Sequence, residues 1–303
     1  MTSGVLPRHV RHGATAGDQY ILQISPEAAG WDYSGLRILS LGKDGRASFA
    51  TGDDEVIVLP LTGSGAVTCD GTTFTLQGRR SPFAAVSDFA YVPRDAEVTV
   101  ESALGGRFAL PSARATQRLP FRYVSAADVS IELRGAGQAS RQVNNFCAPD
   151  AFAADRLIAV EVLTPGGNWS SYPPHKHDVQ RDVESALEEI YYFEVADAAE
   201  GEPGVGRAYQ RVYSSGPDRS IDVCAEVATG DVVLIPYGYH GPSMAAPEYD
   251  LYYLNVMAGP GERVWRFCDD PRHAWIRDSW NGMTVDPRLP LTAANSADSE
   301  VRE

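Results

Sequence analysis

Residues 230–242, GDVVLIPYGYHGP, read as a turn, a continuous apolar strand and a bend of proline and glycine that delivers His240. Runs of the same kind recur on either side. DYSGLRILSL (32–41), EVIVLPL (55–61), GAVTCDGTTFTL (65–76), FAYVPRDAEVTVES (89–102) and RFALPSA (107–113) precede it in one block. A second block holds RLIAVEVLT (156–164), EEIYYFEV (188–195), GRAYQRVYS (206–214), IDVCAEV (221–227) and YDLYYLNVM (249–257). Asp-Gly, Gly-Ser-Gly and Pro-Arg-Asp interrupt the first block, as hairpin turns between antiparallel strands require. No long amphipathic helical pattern occurs, although PEAAGWDYSG (26–35) and AADRL (153–157) each suit a short helical turn. The pattern predicts an all-β protein.

At 303 residues the chain has room for two closely packed barrels. Between the blocks, GAGQASRQVNNFCAPDAFAADR (135–156) reads as a connection, from its glycine, asparagine, proline and aspartate content. The expected boundary lies near residue 150, giving an N-terminal unit over 1–150 and a C-terminal unit over 151–303. The polar tail TAANSADSEVRE (292–303) is expected to be disordered. An internal echo links VSDFAYVPRDAEVTV (86–100) with TGDVVLIPYGYHGPS (229–243), each with an aspartate, an apolar strand and a proline-led turn.

A hydrophobic content of 44% with 22% charged residues describes a globular chain. The net charge of −14 repels phosphate backbones and anionic lipids, so neither nucleic acid nor a membrane surface is an expected partner. An anionic substrate requires a local basic pocket. The N-terminus carries no apolar stretch of signal-peptide type, and a cytoplasmic location is expected. Cys69, Cys147, Cys224 and Cys268 are scattered without close pairs and read as free thiols.

The chemistry concentrates in NWSSYPPHKHD (168–178). On a strand, His175 and His177 point to one face and can reach one ion. Taken alone, such a pair reads equally as surface histidines after a Pro-Pro turn. In LEEIYYFE (187–194), Glu189 shares a strand face with Leu187, Tyr191 and Phe193, whereas Glu188 shares the other with Ile190, Tyr192 and Glu194. A lone carboxylate among apolar side chains needs a cation or another partner, which marks Glu189 as a ligand and leaves Glu188 as a solvated surface carboxylate, mild to replace. With His240, three imidazoles and one carboxylate suit Zn, Mn, Fe, Co or Ni, with positions left for water or substrate oxygens. The six histidines are His9, His12, His175, His177, His240 and His273, so none falls in the strands of the first block and one divalent ion per chain is expected.

HKHD, a later carboxylate and GDVVLIPYGYH together resemble the paired cupin metal motifs, with a wider gap before Glu189 and a turn before His240 one residue shorter than usual. GQASRQVNNF (137–146), NWSSYPPHKHD, LEEIYYF, IPYGYHGP, YYLNVMAGP and WNGMTVDPRLPL (280–291) resemble more narrowly the 5-deoxy-glucuronate isomerase family of bacterial inositol catabolism. That resemblance implies a two-cupin protein: an N-terminal barrel without metal ligands, and a C-terminal barrel holding one ion through His175, His177, Glu189 and His240. It also implies the reaction, conversion of 5-deoxy-D-glucuronate to 5-dehydro-2-deoxy-D-gluconate. The related uronate isomerases of pectin breakdown share the plan, and the extended segment DVQRDVESALE (178–188) distinguishes this chain from them.

An ion with open positions can polarise a carbonyl and hold the oxygens of an enediolate, as aldose–ketose interconversion requires. Tyr253, on a strand face with Tyr249, Leu251, Asn255 and Met257, is the candidate proton-transfer residue, a phenol made more acidic by a nearby cation; aromatic packing is the alternative. Arg141 and Arg181 are the candidates for binding the substrate carboxylate. A cupin dioxygenase or lyase is the competing enzymatic reading, and a binding protein without catalysis the competing class. Assembly into a homo-oligomer is left open.

Overall fold

The computed structural model describes residues 4–294, which form two packed, curled antiparallel β structures with only short helices. A nine-stranded sheet contains the strands from Tyr20–Ile24 to Arg122–Val124. Its long strand Asp54–Cys69 pairs along its length with Phe89–Val92, Gly106–Arg114, Glu97–Ser102 and Thr72–Arg79, which curls the sheet into a barrel. The register shifts between Gly63 and Gly65, and Gly63 has φ 83°, a conformation that glycine adopts without steric cost.

The second barrel is a seven-stranded sheet facing a six-stranded one. Glu188–Val195, Leu251–Ala258 and Ile158–Thr164 lie side by side in the larger sheet, and Val232–Ile235 flanks Glu188–Val195. Tyr239–Ala245 and His175–Lys176 pair in the smaller sheet. The strands of the larger sheet read as continuous apolar runs because both of their faces are covered. Tyr191, Phe193 and Tyr253 point into the second barrel, while Ile190, Tyr192, Tyr252 and Leu254 join one core with Leu36, Ile57 and Phe89 of the first. The interior of the first barrel is apolar, with Val58, Val67, Val98, Phe108 and Leu110 among its buried side chains.

The segment read as a connection contains a strand. Arg141–Asn145 pairs with Ser130–Arg134 and with Ile158–Thr164, so both of these earlier strands belong to the second barrel's sheet. The chain changes sheet between Val124 and Ser130, and we propose the unit division there, ahead of the boundary near residue 150 that composition suggested. The N-terminal strand His9–Val10 crosses over to pair with Val232–Ile235. Of the two expected helical turns, Pro26–Ala29 forms, capped by Ser25. Residues 153–157 stay extended, because the backbone N–H groups of Asp155, Arg156 and Leu157 all donate to the buried carboxylate of Glu55. Most of the polar tail lies outside the described residues. Its first residue is docked: Thr292 is buried and its backbone N–H donates to Gln142 Oε1.

Glu188 is not a solvated surface carboxylate. Its oxygens accept the backbone N–H groups of Asp32, Tyr33 and Ser34 at 2.8–2.9 Å, across the junction of the barrels. Glu55 makes the mirror contact from the first barrel to the second, so the two carboxylates clamp the junction reciprocally. Glu194, on the same strand face as Glu188, pairs with Arg107 of the first barrel at 2.7 Å. Charge on that face therefore signals the partner barrel, not water. Replacing Glu188 with glutamine removes the charge and one acceptor while leaving the three donors, and is expected to destabilise the fold by about 1–3 kcal/mol, read as a lower urea midpoint.

The internal echo also acquires a structural meaning. Asp88 accepts the backbone N–H groups of Gln77 and Gly78, and Asp231 those of His12 and Ala228. Burial raises the pKa of Asp231, but His9 and these N–H donors outweigh it and hold the carboxyl below its ordinary value. A depressed folded-state pKa stabilises above the unfolded-state value near 4, and the contribution is lost as pH falls through the folded-state value. Asp231→Asn is accordingly expected to cost on the order of 1 kcal/mol at neutral pH, with wild type and variant converging in melting temperature as the pH is lowered below 4.

Candidate metal centre

The bend after Ile235 and the strand bearing His175 bring three histidines together. His175 and His240 are direct partners across the smaller sheet, and His177 follows two residues along. The His240 ring lies 4.5 Å from that of His175 and 4.7 Å from that of His177, centroid to centroid. One nitrogen from each of the three lies within 4.8 Å of the others, and all three residues are buried.

The backbone sets the direction of each ring. Nδ1 of His175 lies 3.3 Å from Pro173 O, Nδ1 of His177 3.2 Å from Leu187 O and Nδ1 of His240 3.3 Å from Gly238 O. A carbonyl only accepts, so each Nδ1 carries the proton and each Nε2 keeps its lone pair for the interior. Glu189 reaches the same point from the facing sheet: its Oε2 lies 3.2 Å from His177 Nε2 and 3.0 Å from His240 Nε2. Its Oε1 accepts from Asn255 Nδ2 at 2.8 Å. His240 Nε2 is buried yet lacks the alignment of a hydrogen bond with any neighbour.

Electrostatics point the same way. Burial and the two neighbouring imidazoles push the His175 pKa well below its ordinary value, keeping that ring neutral. Burial also lowers His177, but Glu189 beside it more than offsets this and raises it. Burial would raise Glu189, yet His240 and His177 hold it well below the usual carboxylate range. Three buried histidines with lone pairs converging beside an ionised, buried carboxylate can hold a metal ion, and an orphaned Nε2 is the atom that such an ion would satisfy.

A cavity of about 940 Å³ opens onto this cluster, lined by His175, Tyr253, Asn255 and Arg141 among others. Arg141 donates only to the carbonyl of Ala139, and burial together with Arg134 and Arg277 lowers its pKa to about 10. It is therefore a cation without a carboxylate partner inside the cavity wall. Tyr253 stacks on Tyr191 at 4.8 Å, and both hydroxyls meet Ser171 Oγ, at 3.1 and 2.8 Å. The expectation of a more acidic phenol is not met by the protein groups around Tyr253, because burial dominates and raises its pKa.

Arg181 is not among the lining residues. It belongs to the hairpin Asp178–Arg181/Glu184–Ala186, built from the extended segment before Glu189, and its guanidinium pairs with Glu184. In the same hairpin Glu184 and Asp178 each lie 2.6 Å from Lys176 Nζ, between the two histidines, while Asp178 Oδ2 accepts the backbone N–H of Gly238. The segment thus braces the strand of His175 and the bend of His240. Sequence reasoning missed Arg134, Trp265, Arg266, Arg277 and Trp280 in the cavity wall. Most come from residues after the last long strand, where no periodicity announces a position; the dense cationic and aromatic content of ERVWRF (262–267) is the only local signal.

Residues 7–276 match the model of the KduI/IolB family. The chain belongs to that family. Among KduI/IolB relatives, it is 40% identical over 262 residues to the 5-deoxy-glucuronate isomerase of Geobacillus kaustophilus, covering 86% of this chain and 91% of that one. It is 36% identical over 277 residues to the 5-deoxy-glucuronate isomerase of Bacillus subtilis, covering 90% and 98%. The crystal structure of an IolB-like protein from Salmonella typhimurium superposes with a TM-score of 0.80 at 36% identity, over 88% of this chain and 98% of that one. An oxalate decarboxylase from Lactobacillus farciminis, at 12% identity and a TM-score of 0.61 over 88% and 89% of the two chains, shares the fold. The all-β, two-cupin architecture read from the strand pattern is the one observed. Among the described residues no helix is long and apolar enough to cross a membrane.

Proposed function

We propose that this chain is a metal-dependent 5-deoxy-glucuronate isomerase, interconverting 5-deoxy-D-glucuronate and 5-dehydro-2-deoxy-D-gluconate in the breakdown of inositol. The observation that carries the reading is the unpaired Arg141 in the cavity that opens onto the histidine cluster, within a chain whose relatives bear that name. A guanidinium can grip a carboxylate with two parallel hydrogen bonds, and a cationic pocket is what a sugar acid needs on a protein of net charge −14.

His175, His177, Glu189 and His240 would hold one divalent ion. When bound, the ion supplies polarisation of the substrate carbonyl. Arg141 binds the substrate carboxylate, fixing the distance between that end and the reacting carbons. Asn255 orients Glu189 through its amide N–H. Tyr253, protonated at neutral pH, exchanges a proton with the substrate oxygens, and Ser171 links it to Tyr191 as a chain of hydroxyls. The net change breaks a C–H bond at C2, forms one at C1 and moves a proton from the C2 oxygen to the C1 oxygen. It has no net redox component, so neither NAD, ATP nor oxygen is needed.

The test is conversion of 5-deoxy-D-glucuronate by metal-loaded protein, with chelated protein as the comparison and oxygen uptake followed in parallel. Turnover in deuterated water places deuterium at C1 if the proton passes through Tyr253 and solvent. Elemental analysis is expected to give one ion per chain, since the first barrel's interior is apolar. Loaded protein that leaves the substrate unchanged removes the assignment.

A further inference from the structure

Two buried polar atoms in the wall of the cavity have no partner in the protein, and the reaction described above uses neither. Asn255 is 3% exposed. Its amide orientation is fixed, because Nδ2 must face Glu189 Oε1, which only accepts; Oδ1 therefore turns the other way, and it meets no donor. Trp265 Nε1 is likewise buried without an acceptor. Its ring is held by packing against Ile158, Leu187 and Met257, with the Arg134 guanidinium 5.0 Å from the ring centre. Both residues line the cavity that contains His175 and Tyr253. A buried donor or acceptor left unpaired costs free energy comparable to a lost hydrogen bond, so each such atom asks for a ligand group. One accepts and one donates, and a hydroxyl can serve either.

We propose that Asn255 and Trp265 are specificity-determining residues that read hydroxyl groups of the substrate. A substrate hydroxyl donates to Asn255 Oδ1, and the Trp265 indole N–H donates to a second substrate oxygen. This rests on the sugar-acid reading of the site and goes beyond it, because it states which analogues the cavity rejects. A sugar acid lacking the hydroxyl in question leaves a buried atom orphaned in the complex, as it is in the free protein, and forfeits the gain.

The test uses metal-loaded protein and a polyol acid made by reducing the substrate aldehyde, a compound that cannot isomerise. Calorimetric titration compares its binding with that of its monodeoxy analogues, in wild type, Trp265→Phe and Asn255→Ala, each with its metal content measured. Trp265→Phe keeps the aromatic ring and deletes the N–H. It is expected to weaken binding of the polyol acid by roughly 5- to 10-fold at unchanged metal content. For the one monodeoxy analogue that lacks the contacted oxygen, the same substitution should have no further effect. Asn255→Ala, compared at matched metal content because it also frees Glu189, should erase discrimination against a different monodeoxy analogue. Variants that bind like wild type, or that lose the same affinity for the polyol acid and every monodeoxy analogue, overturn the proposal while conversion of 5-deoxy-D-glucuronate by wild type still stands. Wild-type protein that binds none of the compounds overturns both readings.

Discussion

Replacing His240 with alanine is expected to give folded protein that leaves purification without its metal and turns over substrate at least ~10³-fold more slowly than wild type. His240 is the central member of the cluster, its ring within 4.7 Å of both other imidazoles and its Nε2 3.0 Å from Glu189 Oε2. Removing it leaves two histidines and a carboxylate on opposite sheets with an empty corner between them. The fold should tolerate the change, since His240 Nε2 satisfies no hydrogen bond within the protein and the Nδ1 contact is to a carbonyl two residues away. The checks are elemental analysis, steady-state kinetics with added divalent ions, and a thermal melt. A variant that keeps both a full complement of metal and wild-type turnover would remove His240 from the ligand set.

Arg141→Met is expected to raise KM for the sugar acid by about 10²-fold or more while leaving the melting temperature of the free protein unchanged or higher. The two effects have opposite signs for one reason. In the free protein the guanidinium is buried beside other arginines with one carbonyl as its partner, an arrangement that burial and like charges disfavour, as its lowered pKa records. A carboxylate arriving in the cavity relieves that strain, and methionine, of similar length and apolar, cannot bind it. Arg181→Met serves as the contrast, because Arg181 is half-exposed, paired with Glu184 and not among the lining residues. Arg181→Met should leave KM within about twofold of wild type, in keeping with the small worth of exposed ion pairs. Equal KM effects of the two substitutions would show that the carboxylate binds elsewhere.

Strand alternation alone separated Glu189 from Glu188 and assigned Glu189 to the barrel interior, and the i, i+2 spacing of His175 and His177 made them neighbours of one point. The same alternation misread the other face. Glu188 and Glu194 signalled water only if that face was free; in the folded protein it carries Ile190 and Tyr192 into a core shared with the first barrel, and both carboxylates find donors there. Residues 135–156 misled in the same way. Glycine, asparagine and proline mark a connection by composition, but Arg141–Asn145 supplies the sheet with a strand whose middle and end are buried, and Arg141 at its start turns a linker residue into part of the cavity wall.

By itself the sequence determined the all-β class, the antiparallel pairing and the metal-ligand candidates, because strand period, turn residues and the side to which a side chain points are local properties of the backbone. Tertiary structure alone decided what covers each outer face, that the N-terminal strand crosses to the second barrel, that Glu55 and Glu188 clamp the junction, and that Trp265 and Asn255 meet around one cavity. Those outcomes depend on contacts between residues far apart in the chain, such as Glu188 with Tyr33 or Glu55 with Leu157. Local periodicity says which way a side chain points, whereas only the packing of the two barrels says what it meets there.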